Sequence, residues 1–465
     1  MTPRIAVLGL IIASGAIAPL AGAQRSLGDA LRQADRTAYA NRIAEAATAT
    51  QRAQTLTPLK GILPSVRIEA GYVRTTDPIG VFGSTLRQRT VSTANFDPQR
   101  LNHPDAISNY LGGVVVEQPL FNADAWAGRR AALQAVGATR ASEEWTRLSI
   151  RVDVVRAYYG AVLAAERAAT LQAAARAAHA HVAQAEAMVR QGLVTKSDAL
   201  LAAVRAGDVD AQLAEAEGGA ATARRQLAVL LGQDGRDVTS ELDAPTRLPA
   251  SDRIRAVIAA DTQDATASVR ADLRAASGGL DAARADVLRA RAAYLPRLNS
   301  FARYDWNSPL HPYGGDRNWT VGIMASWSPF AGASELADLQ TAASRATTAQ
   351  AQADAAQANA RLEVEQTRTA LSVALVRLAI AERAVAQSAE AHRIVGRKYE
   401  GGLATVVELL DAQAVETQSQ LSLSQTRWSA IVAAAERRRA LGLDPATLQA
   451  LDETTVATHD LRTSR

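Results

Sequence analysis

The sequence predicts a mainly α-helical protein with a small membrane β-barrel portion, built as two copies of one unit. Three observations carry this expectation. Two long stretches, Leu120 to Ala244 and Phe330 to Asp444, contain no proline and are rich in Ala, Gln, Arg and Glu, all good helix formers. Landmarks recur at one offset: Pro119 with Pro329, Gly192 with Gly402, and Gly232 with Gly442 are each 210 positions apart. Four short segments alternate apolar and polar residues with the period of a strand.

Residues 1–23 read as a secretory signal: Arg4 is the positive residue, Ile5 to Ile12 is almost wholly apolar, and Ala21-Gly22-Ala23 precedes Gln24 with small residues at the cleavage positions. Ser14, Gly15 and Pro19 break the apolar run, so it is too short to remain as a membrane span. No other stretch is long and apolar enough for a transmembrane helix, which leaves the periplasm, the cell surface or an outer-membrane β-barrel as destinations. The remaining chain divides into a first structural repeat over 24–250, a second over 251–442 and a C-terminal tail over 443–465.

Composition narrows the chemistry. Lys+Arg is 51 and Asp+Glu 47 in 465 residues, a formal charge of +4 with no long basic block, so nucleic acid is not an expected partner. Cysteine is absent, which excludes disulfides, thiolate metal sites, a cysteine nucleophile and a Cys-linked lipid anchor. No Gly-x-x-x-x-Gly-Lys-Ser/Thr phosphate loop occurs, so any energy for transport must come from a partner.

The helical stretches are expected at about 122–232 and 331–441. Apolar or small residues recur at sevens, as Val154, Ala161, Ala168, Ala175, Val182 and Val189, and again as Val364, Leu371, Leu378 and Val385, followed by His392 and Tyr399. A sustained spacing of seven implies a left-handed supercoil. Each stretch is broken near its middle by a glycine turn, RQGLVTKSDALL (190–201) and YEGGLATVVELL (399–410). Each unit is therefore a long helix, a turn and a returning helix, and a helix from Ala331 to Glu400 would reach about 100 Å.

Strands are expected at about 65–75, 108–118, 297–306 and 318–328. In three of them one face is apolar, while 108–118 is less regular, with Val114 and Val116 on one face. Tyr72, Tyr304, Trp306, Trp319 and Trp327 lie on the apolar face near strand ends, as membrane-interface aromatics do. Pro64 and Pro296 are placed before strands and Pro119 and Pro329 after them. The connection at about 75–107 reads as a long polar loop, that at about 307–317 as a short one. Four strands cannot close a barrel, and open edges cannot stand in lipid. Several chains must contribute, although the residues alone do not fix how many.

With these residues in place, the chain resembles the outer-membrane efflux protein family, the TolC family, over about Leu27 to Gly442. The resemblance rests on ILPSV (62–66) with YLPRL (294–298), VEQPLFN (116–122) with SWSPFAG (326–332), and the two glycine turns. It implies a homotrimer with a twelve-stranded outer-membrane barrel continued by long antiparallel coiled-coil helices into a periplasmic α-barrel that tapers to a closed tip. A small mixed region would correspond to about 233–252 and the C-terminal part. The implied function is a passive exit duct in a tripartite efflux or type I secretion system, docked to a periplasmic adaptor protein and an inner-membrane pump, with no cofactor.

The resemblance also names tip residues. Glu408 and Asp411 match the positions where the family carries two aspartates lining the constriction; stacked in a trimer they would form acidic rings, favour cations and have pKa values raised by mutual repulsion. Read from the residues alone, they are acids near a helix N-terminus, where negative charge is favourable. Asp198 and Tyr399 match a gate-closing hydrogen-bonded pair, while the family's companion arginine falls on Ala404; Asp198 equally suits a helix N-cap. Gly192, Leu193, Gly402 and Leu403 match the turns that contact the adaptor, although turn geometry alone accounts for both glycines.

Other signals are set aside. His179 and His181 are two apart on a helix and point about 200° apart, a poor start for a metal site. Arg437, Arg438 and Arg439 lie at a helix C-terminus, where cations are favourable. Two rival readings stand beside the channel: a periplasmic coiled-coil scaffold or adaptor without a pore, and a secreted hydrolase, for which no motif argues.

Overall fold

The computed structural model of the 465-residue chain describes residues 26–234, 247–261, 270–312 and 314–452. The signal segment 1–23 and most of the C-terminal tail lie outside them. Among the described residues no helix is long and apolar enough to cross a membrane.

Two short helices, α1 (Leu27–Thr37) and α2 (Tyr39–Gln54), lead into strand β1 (Ser65–Thr75). Helices α3 (Pro78–Arg87) and α4 (Pro98–Asn102) precede β2 (Ile107–Phe121), from which the 68-residue α5 (Ala123–Arg190) and its return α6 (Lys196–Leu230) run. Helices α7 (Ser251–Ala260) and α8 (Ala271–Ala292) then lead to β3 (Arg297–Ser308) and β4 (Asp316–Ser326). The 67-residue α9 (Ser334–Glu400) and its return α10 (Val406–Ala440) follow, and a 3₁₀ turn (Pro445–Leu451) closes the described chain. At 1.5 Å per residue, α5 and α9 are each about 100 Å long. The returning helices α6 and α10 begin and end 210 positions apart.

The four strands form one antiparallel sheet in the order β1-β2-β3-β4, with β1 and β4 at its edges. Register fixes the two faces, because paired residues point the same way. On one face Val66 meets Val116, Ala302 and Val321 in turn, and Ile68 meets Val114, Tyr304 and Trp319. The other face carries Arg67, Glu69, Asn109, Arg303, Asp305 and Asn307, with Arg303 contacting Glu69 at 3.4 Å and Asp305 at 2.8 Å. All the long helices attach at one end of the sheet, and the two strand-to-strand loops lie at the other.

Three sequence-based expectations are corrected here. Strand β2 runs on to Phe121, so Pro119 lies inside it rather than after it; the β2–β3 register shifts between Pro119 and Phe121, which lets a residue without an N–H sit in the ladder. Strand β4 ends at Ser326, so Trp327 lies just past it. The 75–107 segment is not an irregular polar loop. Asp77 caps α3 by accepting from the Gly80 N–H at 2.6 Å, with Pro78 in the first turn, which is a favoured helix start.

The seam of α9 shows how small residues hold long helices together. Ala353, Ala360, Thr367, Ala374, Ala381 and Ser388 are all buried at a strict spacing of seven. They alternate with the half-buried Val364, Leu371 and Val385, completing an a/d stripe. The two hydroxyls are absorbed locally, Thr367 donating to the Glu363 carbonyl at 2.8 Å and Ser388 to that of Val385 at 3.1 Å.

Midway along the helices lies the largest core. Leu27, Leu31, Val154, Val155, Tyr158, Tyr159, Leu227, Ile254, Leu378 and Ile431 are buried together, drawing on α1, α5, α6, α7, α9 and α10. Glu166 of α5 ties the chain entering α7 to α10: it accepts from the Leu248 N–H at 2.7 Å and the Ser424 hydroxyl at 2.6 Å. Nearby, the Trp145 ring lies under both Arg270 (4.7 Å) and Arg439 (5.4 Å), whose guanidinium groups share Glu363. A buried arginine is tolerable there because its donors are met by carboxylates and by the Ala440 carbonyl.

Candidate functional site at the helix turns

The α5–α6 and α9–α10 turns come together farthest from the sheet, and both are built the same way. Gly192 (φ +72°) and Gly402 (φ +74°) adopt the left-handed conformation. The Leu193 N–H donates to the Met188 carbonyl at 3.0 Å and the Leu403 N–H to that of Lys398 at 2.7 Å, which is a Schellman ending. Leu193 is 64% and Leu403 82% exposed.

Each return helix then opens with a capping box. Thr195 accepts from the Asp198 N–H, while the Asp198 carboxylate accepts from the Thr195 N–H at 3.0 Å and its hydroxyl at 2.8 Å. Thr405 and Glu408 repeat the arrangement, with the Glu408 carboxylate accepting from the Thr405 N–H at 2.7 Å. The Thr195 hydrogen bonds hold Asp198 below its usual pKa, and those from Thr405 do the same to Glu408. Within one protomer the Glu408 carboxylate bends back to its own helix start, whereas the expected rise belongs to acids stacked in a trimer. Asp411, one turn on, is exposed and borders a groove of about 490 Å³ between α5, α6 and α10.

Asp198 and Tyr399 are brought to the same end of the molecule but are not hydrogen-bonded to each other. The Tyr399 hydroxyl donates instead to the Met188 sulfur at 3.3 Å. Its ring, 5% exposed, belongs to a second core with Ala185, Ala202, Val406, Leu409 and Leu410 that packs the two hairpins together. Burial, and after it the Asp198 charge, pushes the Tyr399 phenol up. Sequence reasoning missed Thr195, Thr405 and Met188. The first two were legible as Thr-x-x-Asp and Thr-x-x-Glu preceding apolar runs; nothing local marks Met188. The two histidines set aside diverge: His179 Nε2 lies 2.9 Å from Asp210 of α6. His181 is pushed down by burial and by His392, whose Nδ1 lies 2.5 Å from Glu416.

At the sheet, Tyr72, Tyr304, Trp306 and Trp319 share the apolar face near the loop end. Tyr72 packs on Tyr110 at 4.8 Å and its hydroxyl lies 3.0 Å from that of Ser108. The Trp306 ring covers Gly112, where a Cβ would meet it at 2.3 Å. Trp327 lies at the helix end, its indole N–H donating to the Tyr294 carbonyl at 3.0 Å.

A sheet apolar on one face, with helices extending about 100 Å from one end, defines a membrane-anchored protein with a long extramembrane arm. The sequence model of the family described as Outer membrane efflux protein matches residues 63–233 and 263–443, and the chain belongs to that family. This places it in the outer membrane, with its helices forming the periplasmic extension. OprJ of Pseudomonas aeruginosa is 29% identical over 224 residues; the match spans 46% of this chain and 45%, less than half, of OprJ.

Solved structures share the fold. A membrane protein from Pseudomonas aeruginosa has a TM-score of 0.72 at 21% identity, over 93% of this chain and 92% of its own. The CmeC outer membrane channel of Campylobacter jejuni gives 0.74 at 16%, over 90% and 85%. VceC of Vibrio cholerae gives 0.71 at 21%, over 90% and 96%.

Proposed function

We propose that three copies of this chain form a passive exit duct of a tripartite efflux or type I secretion system. The observation that carries the reading is the sheet: among the described residues, four strands with an aromatic-rich apolar face, a charged opposite face and two unpaired edges. Such a sheet cannot stand in lipid alone, because each open edge leaves a row of N–H and C=O groups unsatisfied. Pairing β4 of one copy with β1 of the next closes it, and three copies give twelve strands. The charged face then lines the lumen. Trp319 and Trp327 are eight residues apart along β4 and its extension, about 26 Å at strand rise, which at the tilt of barrel strands is about 20 Å of height, a little under that of an outer-membrane apolar band.

The recurrence at 210 positions supports two copies of one unit, 24–250 and 251–442, each supplying a hairpin of strands and a hairpin of helices. The helices would then form the wall of an α-barrel, with the turns at its periplasmic tip. Glu408 and Asp411 line the constriction there, and Asp198 and Tyr399 contribute to closing it, with partners drawn from sister copies. Gly192, Leu193, Gly402 and Leu403 face the adaptor, and the exposed leucines are its anchors. An inner-membrane pump supplies the energy.

The deciding experiment is extraction from outer membranes in detergent, mass determination of the assembly, and single-channel recording in planar bilayers. The expected result is a trimer with cation-preferring conductance, and Glu408→Ala with Asp411→Ala lowers that preference. A monomer that stays water-soluble without detergent returns the protein to the scaffold reading.

A further inference from the structure

We infer that α3, in the β1–β2 connection, folds into the outer mouth of the channel and sets what leaves through it. This rests on the channel reading above and adds a second restriction at the opposite end from the helix turns.

A connection between adjacent strands has no need to leave its own edge, yet this one crosses the sheet. Gln88, at the C-terminal end of α3, donates from Nε2 to the Ser108 carbonyl at 2.9 Å and to Asn109 Oδ1 at 2.9 Å. Asn109 passes the chain on, its Nδ2 donating to Asn307 Oδ1 at 2.8 Å. Arg89, next along, reaches β4 at the far edge, donating to the Arg317 carbonyl at 3.3 Å and lying 3.7 Å from Asp316. Gln88, Asn109 and Asn307 are all under 5% exposed. A buried amide ladder of this kind is costly to break, because each freed group is left without a partner.

The face on which α3 lands decides its meaning. Asn109 and Asn307 belong to the charged face, opposite Tyr304 and Trp319. Once the sheet closes with its apolar face to lipid, that is the lumen side, at the loop end. Within the helix, Val81, Thr85 and Gln88 recur at helical spacing and are turned to the sheet, Thr85 and Gln88 being buried. Ile79, Gly83 and Leu86 share the opposite side. Ile79 is 84% exposed, and a Cβ built on Gly83 meets no atom within 4 Å. That side points to the channel axis, so three copies place a collar of Ile79 and Leu86 around the opening. Ile79 and Leu86 are themselves uncharged, with the exposed Arg87 of the same helix beside them, so the collar restricts by size and carries positive rather than negative charge at its flank, unlike the acidic tip.

The chain has no cysteine, so one introduced thiol reports alone. Ile79→Cys trimers in planar bilayers are treated with a charged thiol reagent on the loop side. The expected result is a conductance fall of about twofold or more as bulk and charge enter the constriction. Gly83→Trp, which fills open space without touching the sheet, lowers conductance with no reagent and leaves assembly intact. Complete labelling, checked by mass, with unchanged conductance in both variants overturns the inference and leaves the channel standing. Absence of channels from the unmodified protein overturns the channel reading and this inference with it.

Discussion

The Tyr399 hydroxyl of α9 donates to the Met188 sulfur of α5 at 3.3 Å, joining the two helical hairpins at their far end. A thioether is a weak acceptor, so the ring rather than the hydroxyl supplies most of the stabilisation at this position. Tyr399→Phe is expected to cost less than about 1 kcal/mol, and Tyr399→Ala about 3 kcal/mol through the cavity it leaves. Denaturant unfolding of the detergent-purified protein measures both. If the hydroxyl also helps close the tip of the assembly, Tyr399→Phe raises resting conductance despite its small effect on stability.

The two capping boxes carry a separable prediction. Thr195→Ala and Thr405→Ala each remove a side-chain acceptor from a helix start and are expected to cost about 1 kcal/mol. Serine at either position restores most of it. Hydrogen exchange localises the loss: protection falls in the first turns of α6 and α10, while the core around Tyr158 and Ile431 is unaffected. A uniform loss along α10 would instead mean that the turn nucleates the whole hairpin.

How much of this was legible before the fold depends on which force sets each element. Helix boundaries were legible because proline and glycine act locally: Gly192, Gly232, Gly402 and Gly442 all have positive φ, as their place at helix ends demands. The heptad stripe of Val364 and Leu371 was legible because it is apolar, but the more buried stripe through Thr367 and Ser388 was not, since burial of a hydroxyl depends on a carbonyl one turn back. Helix α8 escaped notice because its apolar signal is thin and it carries Gly278 and Gly279 inside it. Gly278 lies against Ala138 of α5, where an added Cβ would sit 3.2 Å from the alanine, a reason visible only with both helices in place. By contrast, the fold of Glu408 back onto Thr405 was within reach of the sequence, because Thr-x-x-Glu before an apolar run is the spacing of a capping box.

Acid separates two accounts of the tip. Asp198 and Glu408 have folded pKa values below their usual 3.8 and 4.5, each through hydrogen bonds from its capping threonine. Their contribution is therefore complete above the unfolded values and is lost as pH falls through the lower folded ones. The expected profile for tip protection by hydrogen exchange is flat from neutral pH down to about 4.5, then falling. Asp198→Asn with Glu408→Gln shifts the fall away from this window. If repulsion between sister copies dominates instead, Glu408 titrates above its usual value and the change begins nearer neutral pH.

Two glycines with the same backbone conformation give opposite expectations for an added methyl group. Gly402 has φ +74° and no atom within 4 Å of a built Cβ, so Gly402→Ala meets only the left-handed backbone penalty, about 1 kcal/mol. Gly232, with φ +78°, lies where α6 ends against α1, and a Cβ there would sit 2.1 Å from the Thr37 carbonyl oxygen. That contact is with backbone. Relieving it moves α1 away and strains the hydrogen bond from the Thr37 hydroxyl to the Leu231 carbonyl, now 2.6 Å. Gly232→Ala is therefore expected to cost about 3 kcal/mol or more, in the range of overpacked cores, and to expose α1 to protease. Comparable unfolding midpoints for the two variants would show that α1 yields freely and that the packing at Thr37 carries little of the stability.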